Sequence, residues 1–356
     1  MAGGLVAAAV PRSVPGLGAP ASFRSALGIA DYSFNIRNTA KQSGQRIKPL
    51  NDPLDFLKYC HGLGAGGVQM IIGIRDKQYT TTLREYAEAQ GMFIEASASL
   101  PRAPSDVERF AEMVRTAKQT GAKVVRIAIG GRRYEQFDNA EQFKAFAKRS
   151  FESIQLAEPI AARQQMFLAV ENHKDWRMGE LLDILKRLDS QYVGVCIDTG
   201  NSFALLEDHM EVVRAYTPWA FSVHLKDMTV CEYEEGFLLA DVPLGDGLLD
   251  LPAMIDLLRK TKPEIQFSLE MATRDPLKVP CLTDKYLATF ANVPASDLAR
   301  ALRYVRTHAC DKQSLPRVSH LPLDEQVKLE EENVKKCLRY ASEHLGLQHH
   351  IIQPKG

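Results

Sequence analysis

The sequence has no CxxC pair. Its six cysteines, Cys60, Cys196, Cys231, Cys281, Cys310 and Cys337, lie scattered, which suggests neither a zinc ribbon nor a disulfide framework, and most read as small core residues. No apolar stretch reaches the roughly 18 to 20 residues needed to cross a bilayer, so no membrane-spanning helix is expected. There is no basic run, and the formal net charge is zero. The electrostatic footprint of a protein that grips a phosphate backbone is therefore missing, and no nucleic-acid partner is expected. No repeat and no charged low-complexity run is visible. What is present is 356 residues with 45% hydrophobic content, enough to bury one large core, and this excludes disorder as the main state.

The first stretch, "MAGGLVAAAVPRSVPGLGAPASFRS" (1–25), is rich in Ala, Gly and Pro without periodicity and reads as a disordered or processed leader. A cytoplasmic protein is the expectation, with export through a truncated N-terminal signal as the alternative. From about residue 28, short β-rich runs alternate with amphipathic segments, the pattern of a parallel sheet covered by helices. The runs are "LGIADYSF" (27–34), "GVQMIIG" (67–73), "GMFIEASASL" (91–100), "AKVVRIAIGG" (122–131), "QMFLAVENH" (165–173), "YVGVCIDTGN" (192–201), "AFSVHLKD" (220–227) and "EIQFSLEM" (264–271). Eight strands predict a closed α/β barrel, the (β/α)8 or TIM barrel, over 26–310, followed by a C-terminal helical extension over 311–356.

Helix punctuation supports the intervening segments. Pro53 follows Asn51 and Asp52, "SDVE" sets Ser105 three residues ahead of Glu108 as a capping box, and Gly91 and Gly121 stop their helices. Leu181, Leu182, Leu185 and Leu188 recur at helical spacing and would cover the sheet. "GLGAGG" (62–67) has a GxGxxG spacing, but a dinucleotide fingerprint needs a strand before it and a helix after it. Here a helix through Leu54, Leu57 and Cys60 ends at the glycines and "VQMIIG" follows, so the motif reads as a helix stop and turn.

In such a barrel the chemistry gathers at the carboxyl ends of the strands. Four of the runs turn polar there: Glu171 in "AVENH", Asp198 in "CIDTGN", His224 in "VHLKD" and Glu270 in "SLEM". Three carboxylates and an imidazole aimed at one point suit a hard or borderline divalent cation such as Mn²⁺, Mg²⁺ or Co²⁺. Without a cation they would repel one another. Taken singly, Asp198 or Glu171 could cap a helix, and His224 could be a satisfied core histidine.

With "ENH", "DTGN", "HLKD" and "PLGDG" around it, this quartet resembles the xylose-isomerase-like TIM barrel superfamily and its sugar phosphate isomerase/epimerase branch, over about residues 25–310. The branch includes ketose 3-epimerases, hydroxypyruvate isomerases and inosose dehydratases. The resemblance implies one divalent metal ion, Mn²⁺ foremost, held by Glu171, Asp198, His224 and Glu270. It also implies that Glu171 and Glu270 flank the substrate carbon as the catalytic acid/base pair. A metal-dependent isomerase or epimerase acting on a small sugar, polyol or keto-sugar is then expected. The alternative is a lyase or dehydratase, inosose dehydratase-like or a C-glycoside-cleaving subunit on 3-keto sugars, and a further alternative is a non-catalytic binding subunit. Proton removal beside a carbonyl supports the assignment from chemistry alone, since it needs a base and a group to hold the developing enolate charge. The superfamily's apurinic endonucleases need further histidines, whereas the second and third strands offer Gln69, Glu95 and Ser97.

Candidate substrate-binding residues are Asn201, Lys226 and Asp227, then His173 and Arg126. Several ketose epimerases carry a histidine where Asn201 stands. The long connections 228–247 and 271–297 are expected to be lids over a small polyol, or solvated loops. The segments 295–309 and 324–347 read as two more helices, the second with Leu329, Val334, Leu338 and Leu345 on one stripe, packed on the barrel or on a partner subunit or second copy in a homo-oligomer. The tail "HHIIQPKG" reads as a frayed end.

Overall fold

The structure, a computed structural model, describes residues 25–40 and 47–348. The leader expected over 1–25, save Ser25, and the tail 349–356 lie outside the described residues.

Eleven strands are present among the described residues, in chain order β1 (Gly28–Ala30), β2 (Gly67–Ile71), β3 (Phe93–Ala98), β4 (Val124–Ile127), β5 (Phe167–Glu171), β6 (Val193–Asp198), β7 (Ala220–Leu225), β8 (Asp227–Tyr233), β9 (Gly236–Val242), β10 (Phe267–Leu269) and β11 (Leu277–Val279). All eight expected runs become barrel strands: β1 to β7 and β10 close in sequence order, each parallel to its neighbours. Parallel closure is why strand ends far apart in sequence share one rim. Register fixes their heights: His224 lies opposite Asp198 across the β6–β7 pair, and Gln69 opposite Glu95 across β2–β3. At the other end, Gly28 and Gly67 make room for the Phe93 ring, since a Cβ on either would come within 2.4 Å of it.

Most helix boundaries follow local chemistry. Asp52 accepts the backbone N–H groups of Leu54 and Asp55 ahead of Pro53. Gly64, Gly91 and Gly121 turn the chain out of their helices at positive φ, so "GLGAGG" is a helix stop, and β2 begins at its last glycine. The capping box at "SDVE" does not form. Asp106, not Ser105, closes that turn, accepting from the backbone N–H groups of Arg102 and Ala103.

The two connections expected to be lids or loops are folded. β8 and β9 form an antiparallel hairpin, and β11 pairs with β9 to complete a three-stranded sheet. Its apolar residues Val230, Phe237, Leu239 and Val279 pack with Ala301 and Val305 of the helix Ala295–His308. The final helix, Leu323–His344, buries Val334, Cys337, Leu338 and Ala341 in the same core as the barrel strands, with Leu345 and Leu347 beyond its end; Leu329 is only half-buried. Among the described residues no helix is long and apolar enough to cross a membrane.

Candidate active site and metal centre

Glu171 and Asp198 are the last residues of β5 and β6, His224 is the penultimate residue of β7, and Glu270 directly follows β10. The four side chains converge: each offers one ligand atom, these atoms lie within 4.8 Å of one another, and all four residues are buried. Ligands on opposite sides of a small divalent ion, each about 2.1 Å away, stand roughly 4.2 Å apart, so the spacing suits one ion. Nδ1 of His224 is central, 3.5 Å from Glu171 Oε1, 3.4 Å from Glu270 Oε1 and 4.0 Å from Asp198 Oδ2. His224 Nδ1 makes no hydrogen bond, whereas Asp198 Oδ2 has the Lys226 ammonium 2.9 Å away. A buried imidazole nitrogen without a partner, facing three carboxylates, is what a bound cation would satisfy.

A chain of hydrogen bonds beneath the quartet fixes the imidazole. Glu95 accepts from Gln69 Nε2 at 2.9 Å and from Ser222 Oγ at 2.6 Å. Gln69 must therefore turn its oxygen toward His224, where it accepts from Nε2–H. The proton is held on Nε2 and the Nδ1 lone pair is left for the carboxylates' side. Burial pushes the Glu95 carboxyl up to about 6, so near neutrality it remains mostly an acceptor.

Cations offset the acids. Lys226 Nζ lies 2.6 Å from Glu270 Oε2 and 2.9 Å from Asp198 Oδ2, and Arg126 on β4 pairs with Glu171. Burial pushes Glu270 up, but Lys226 and His224 outweigh it and hold the carboxyl down at about 2. Glu171 likewise lies well below the ordinary carboxylate range, since Arg126 and His224 overcome its burial. His224 shows the reverse balance: burial disfavours its charge, yet Cys196, Glu270 and Glu171 raise its proton affinity well above that of a free imidazole. The site wants positive charge at Nδ1.

The remaining expected substrate contacts divide. Asn201 lies at the quartet, donating from Nδ2 to Glu171 Oε1 at 3.3 Å, while its backbone N–H and that of Gly200 hold Asp198 Oδ1. His173, two residues past Glu171, is kept neutral by burial and by Lys174, which lower it to about 4, and its Nδ1 has no partner. Asp227 is elsewhere engaged. Its carboxylate accepts the backbone N–H groups of Met228, Gly245, Gly247 and Leu249, and a Cβ at Gly247 would lie 2.1 Å from it. The glycines of "PLGDG" thus let the backbone approach the Asp227 carboxylate.

Sequence reasoning passed over Lys174, Asp241 and Arg274. Asp241 on β9 binds Arg274 at 2.8 Å and lies 3.8 Å from Lys226, so the added sheet brings its own charges to the site. A cavity of about 630 Å³ opens at the opposite, amino-terminal mouth, among Phe93, Phe167 and Phe221. Its volume does not mark the chemistry, because among the described residues the set of ligand-type side chains that converges is the one at the carboxyl-terminal rim.

Comparison with known proteins agrees with the barrel fold. A stretch of 105 residues is 30% identical to 3-oxo-isoapionate decarboxylase of Pectobacterium atrosepticum, covering 29% of this chain and 38% of that relative. The chain thus matches well under half the length of this curated relative. Among solved structures, D-psicose 3-epimerase in the presence of D-fructose superposes with a TM-score of 0.53 at 13% identity, over 82% of this chain and 93% of that one. A xylose isomerase-like TIM barrel protein from Mycobacterium smegmatis in complex with magnesium gives 0.51 at 16% identity, over 79% and 98%. At such identities the likeness shows the fold. The family model described as xylose isomerase-like TIM barrel matches residues 57–307, and with the closed barrel and the quartet on its rim, the chain belongs to that family.

Proposed function

We propose that this protein is a divalent-metal-dependent isomerase or epimerase of small sugars or keto-sugars, with Glu171 and Glu270 as the acid/base pair. One observation carries the reading: two carboxylates from different strands flank His224 Nδ1 at 3.5 and 3.4 Å, inside a buried set of four metal-ligand side chains. Glu171, Asp198, His224 and Glu270 would hold the ion, Mn²⁺ first and Mg²⁺ or Co²⁺ next by the donor types. When bound, such an ion polarises a carbonyl and makes the adjacent C–H more acidic.

The chain's own residues do the rest. Both glutamates are held ionised, so either can accept a proton, and an acid that holds its proton weakly returns it readily. Weak proton affinity also means that removal depends on stabilising the charge that builds on the carbonyl oxygen, and Lys226 and Arg126 stand close enough to contribute. Transfer from one face to the other inverts a centre, and transfer between adjacent carbons moves the carbonyl. Burial of the whole set keeps water from quenching the enolate.

A lyase is the second reading, favoured by the decarboxylase relative. Carbon dioxide, water or an aglycone would then leave with or from the same enolate. Incubation of Mn²⁺-loaded protein in D₂O with ketoses, inososes, 3-keto glycosides and 3-oxo acids separates the two. Deuterium uptake with retained skeleton and new stereochemistry supports the epimerase, and loss of a fragment supports the lyase. Glu270→Gln should keep the fold and lose more than a hundredfold in exchange rate. Full exchange in that variant would overturn the acid/base role.

A further inference from the structure

Lys174 is a buried ammonium without an acid. Only 2% of the residue is exposed, and its Nζ bonds to Asn201 Oδ1, a neutral acceptor. Lys226, Arg126 and Arg274, the other cations here, each contact a carboxylate. Among the described residues no carboxylate oxygen forms an ion pair with Lys174. An ammonium that leaves water ordinarily does so beside a counter-charge, because its desolvation is otherwise uncompensated. The ordinary reading, a lysine that merely orients Asn201, explains one of its three donors and not its charge.

The surroundings are those of an anion's seat. Asn201, the partner of Lys174, holds Asp198 Oδ1 through its backbone N–H, while Lys226 lies 2.9 Å from Oδ2. Lys226 and Arg274 share Asp241, at 3.8 and 2.8 Å. After burial itself, these two cations are the main influences lowering Lys174, to about 8. Asp241 and Asp198 partly offset them, but Asp241 is already bound by Arg274 and Asp198 faces the quartet. Next along the chain, His173 presents a buried Nδ1 without a partner. Three connections supply the cations: the turn after β5 carries Lys174, the β7–β8 junction Lys226 and the β10–β11 connection Arg274.

We propose that Lys174, with Lys226 and Arg274, forms a subsite for an anionic group of the substrate, a carboxylate or a phosphate, so that the substrate is an acidic sugar and not a neutral ketose. This rests on the metal-dependent reading above and names its substrate class. An oxyanion placed there gives Lys174 its counter-charge and ties the far end of the substrate while the carbonyl end lies at the quartet.

The test uses full-length, Mn²⁺-loaded protein and three matched probes, sorbitol, D-gluconate and sorbitol 6-phosphate, titrated calorimetrically. At least one anion should bind ten times or more tighter than sorbitol, and whichever is stronger tells carboxylate from phosphate. In Lys174→Met that advantage should fall below threefold while the Mn²⁺ affinity stays within threefold of wild type. Lys174→Gln, closer in polarity, provides the same reading should the first variant fold poorly. Equal binding of sorbitol and both anions, or an anion preference that survives both substitutions, overturns the subsite. Failure of the enzymatic reading looks different: no deuterium exchange with any substrate, whether or not the anion preference stands.

Discussion

His224 offers Nδ1 to the carboxylates because Glu95 and Gln69 leave it no alternative, and that coupling can be tested one residue at a time. In Gln69→Leu the imidazole loses its Nε2–H acceptor and with it a fixed tautomer, while Ser222 still bonds Glu95. Supporting partners of this kind are worth about 10- to 100-fold in metal affinity. Calorimetric titration with Mn²⁺ should therefore show Gln69→Leu weaker by about that factor, and His224→Ala weaker still. Binding by Gln69→Leu at the wild-type level would remove the tautomer argument. At this scale the quartet was legible, since acid and imidazole stand out at the ends of apolar runs. Glu95 carried a signal too, an acid in the middle of "MFIEASA", but its partner lies across the barrel pairing, which a linear reading does not supply. Lys174 and Arg274 look like any surface cation until the fold buries one and half-buries the other.

Among the elements, what was read correctly carried an apolar run or a helical stripe bounded by helix signals, and what was missed lay inside a long connection without them. The barrel strands and the last two helices followed from apolar runs and a helical stripe. The β8–β9 hairpin escaped because almost every position on both strands is buried, being packed between the barrel mouth and the helix Ala295–His308, so no alternation shows. Its turn, Glu234 and Glu235 before Gly236, also lacks the Asn-Gly or Asp-Gly signature. The final helix carries one residue that the stripe would not predict. Glu330, 1% exposed, accepts the backbone N–H groups of Ile36 at 2.7 Å and Arg37 at 3.1 Å, tying that helix to the turn after β1. Burial pushes its carboxyl up to about 7. The folded state then binds more protons than the unfolded chain between roughly pH 4.3 and 7. Its contribution is fully present below the unfolded value and is lost as pH rises through the folded one, by an amount on the order of 3 kcal/mol. Glu330→Gln has no such titration. Denaturant unfolding at pH 5 and pH 7.5 should show the variant gaining on wild type as pH rises, and a constant difference between the two would refute the assignment.

For the molecule as a whole, closing a parallel barrel drives the polar ends of its strands together, and the fold must hold Glu171, Asp198, Glu270 and Asp241 in one buried place. Arg126, Lys226 and Arg274 offset much of that repulsion, yet the orphaned Nδ1 of His224 remains. The unfolded chain scatters these groups over a hundred residues and has no comparable site, so an ion that binds the quartet must stabilise the fold by mass action. At a hundred times its dissociation constant the gain is about 2.7 kcal/mol. For a chain of this size that corresponds to a rise of roughly 4 °C in the unfolding midpoint. Scanning fluorimetry with Mn²⁺ after chelator treatment should show that rise in wild type and in Glu330→Gln, whose substitution lies in a different element. Asp198→Asn should lose most of it, because the amide keeps the oxygen that Gly200 and Asn201 bind but gives up the charge the ion requires. An equal rise in Asp198→Asn would mean that the cation sits elsewhere, and the gathering of acids at the rim would then be a matter of ion pairing alone.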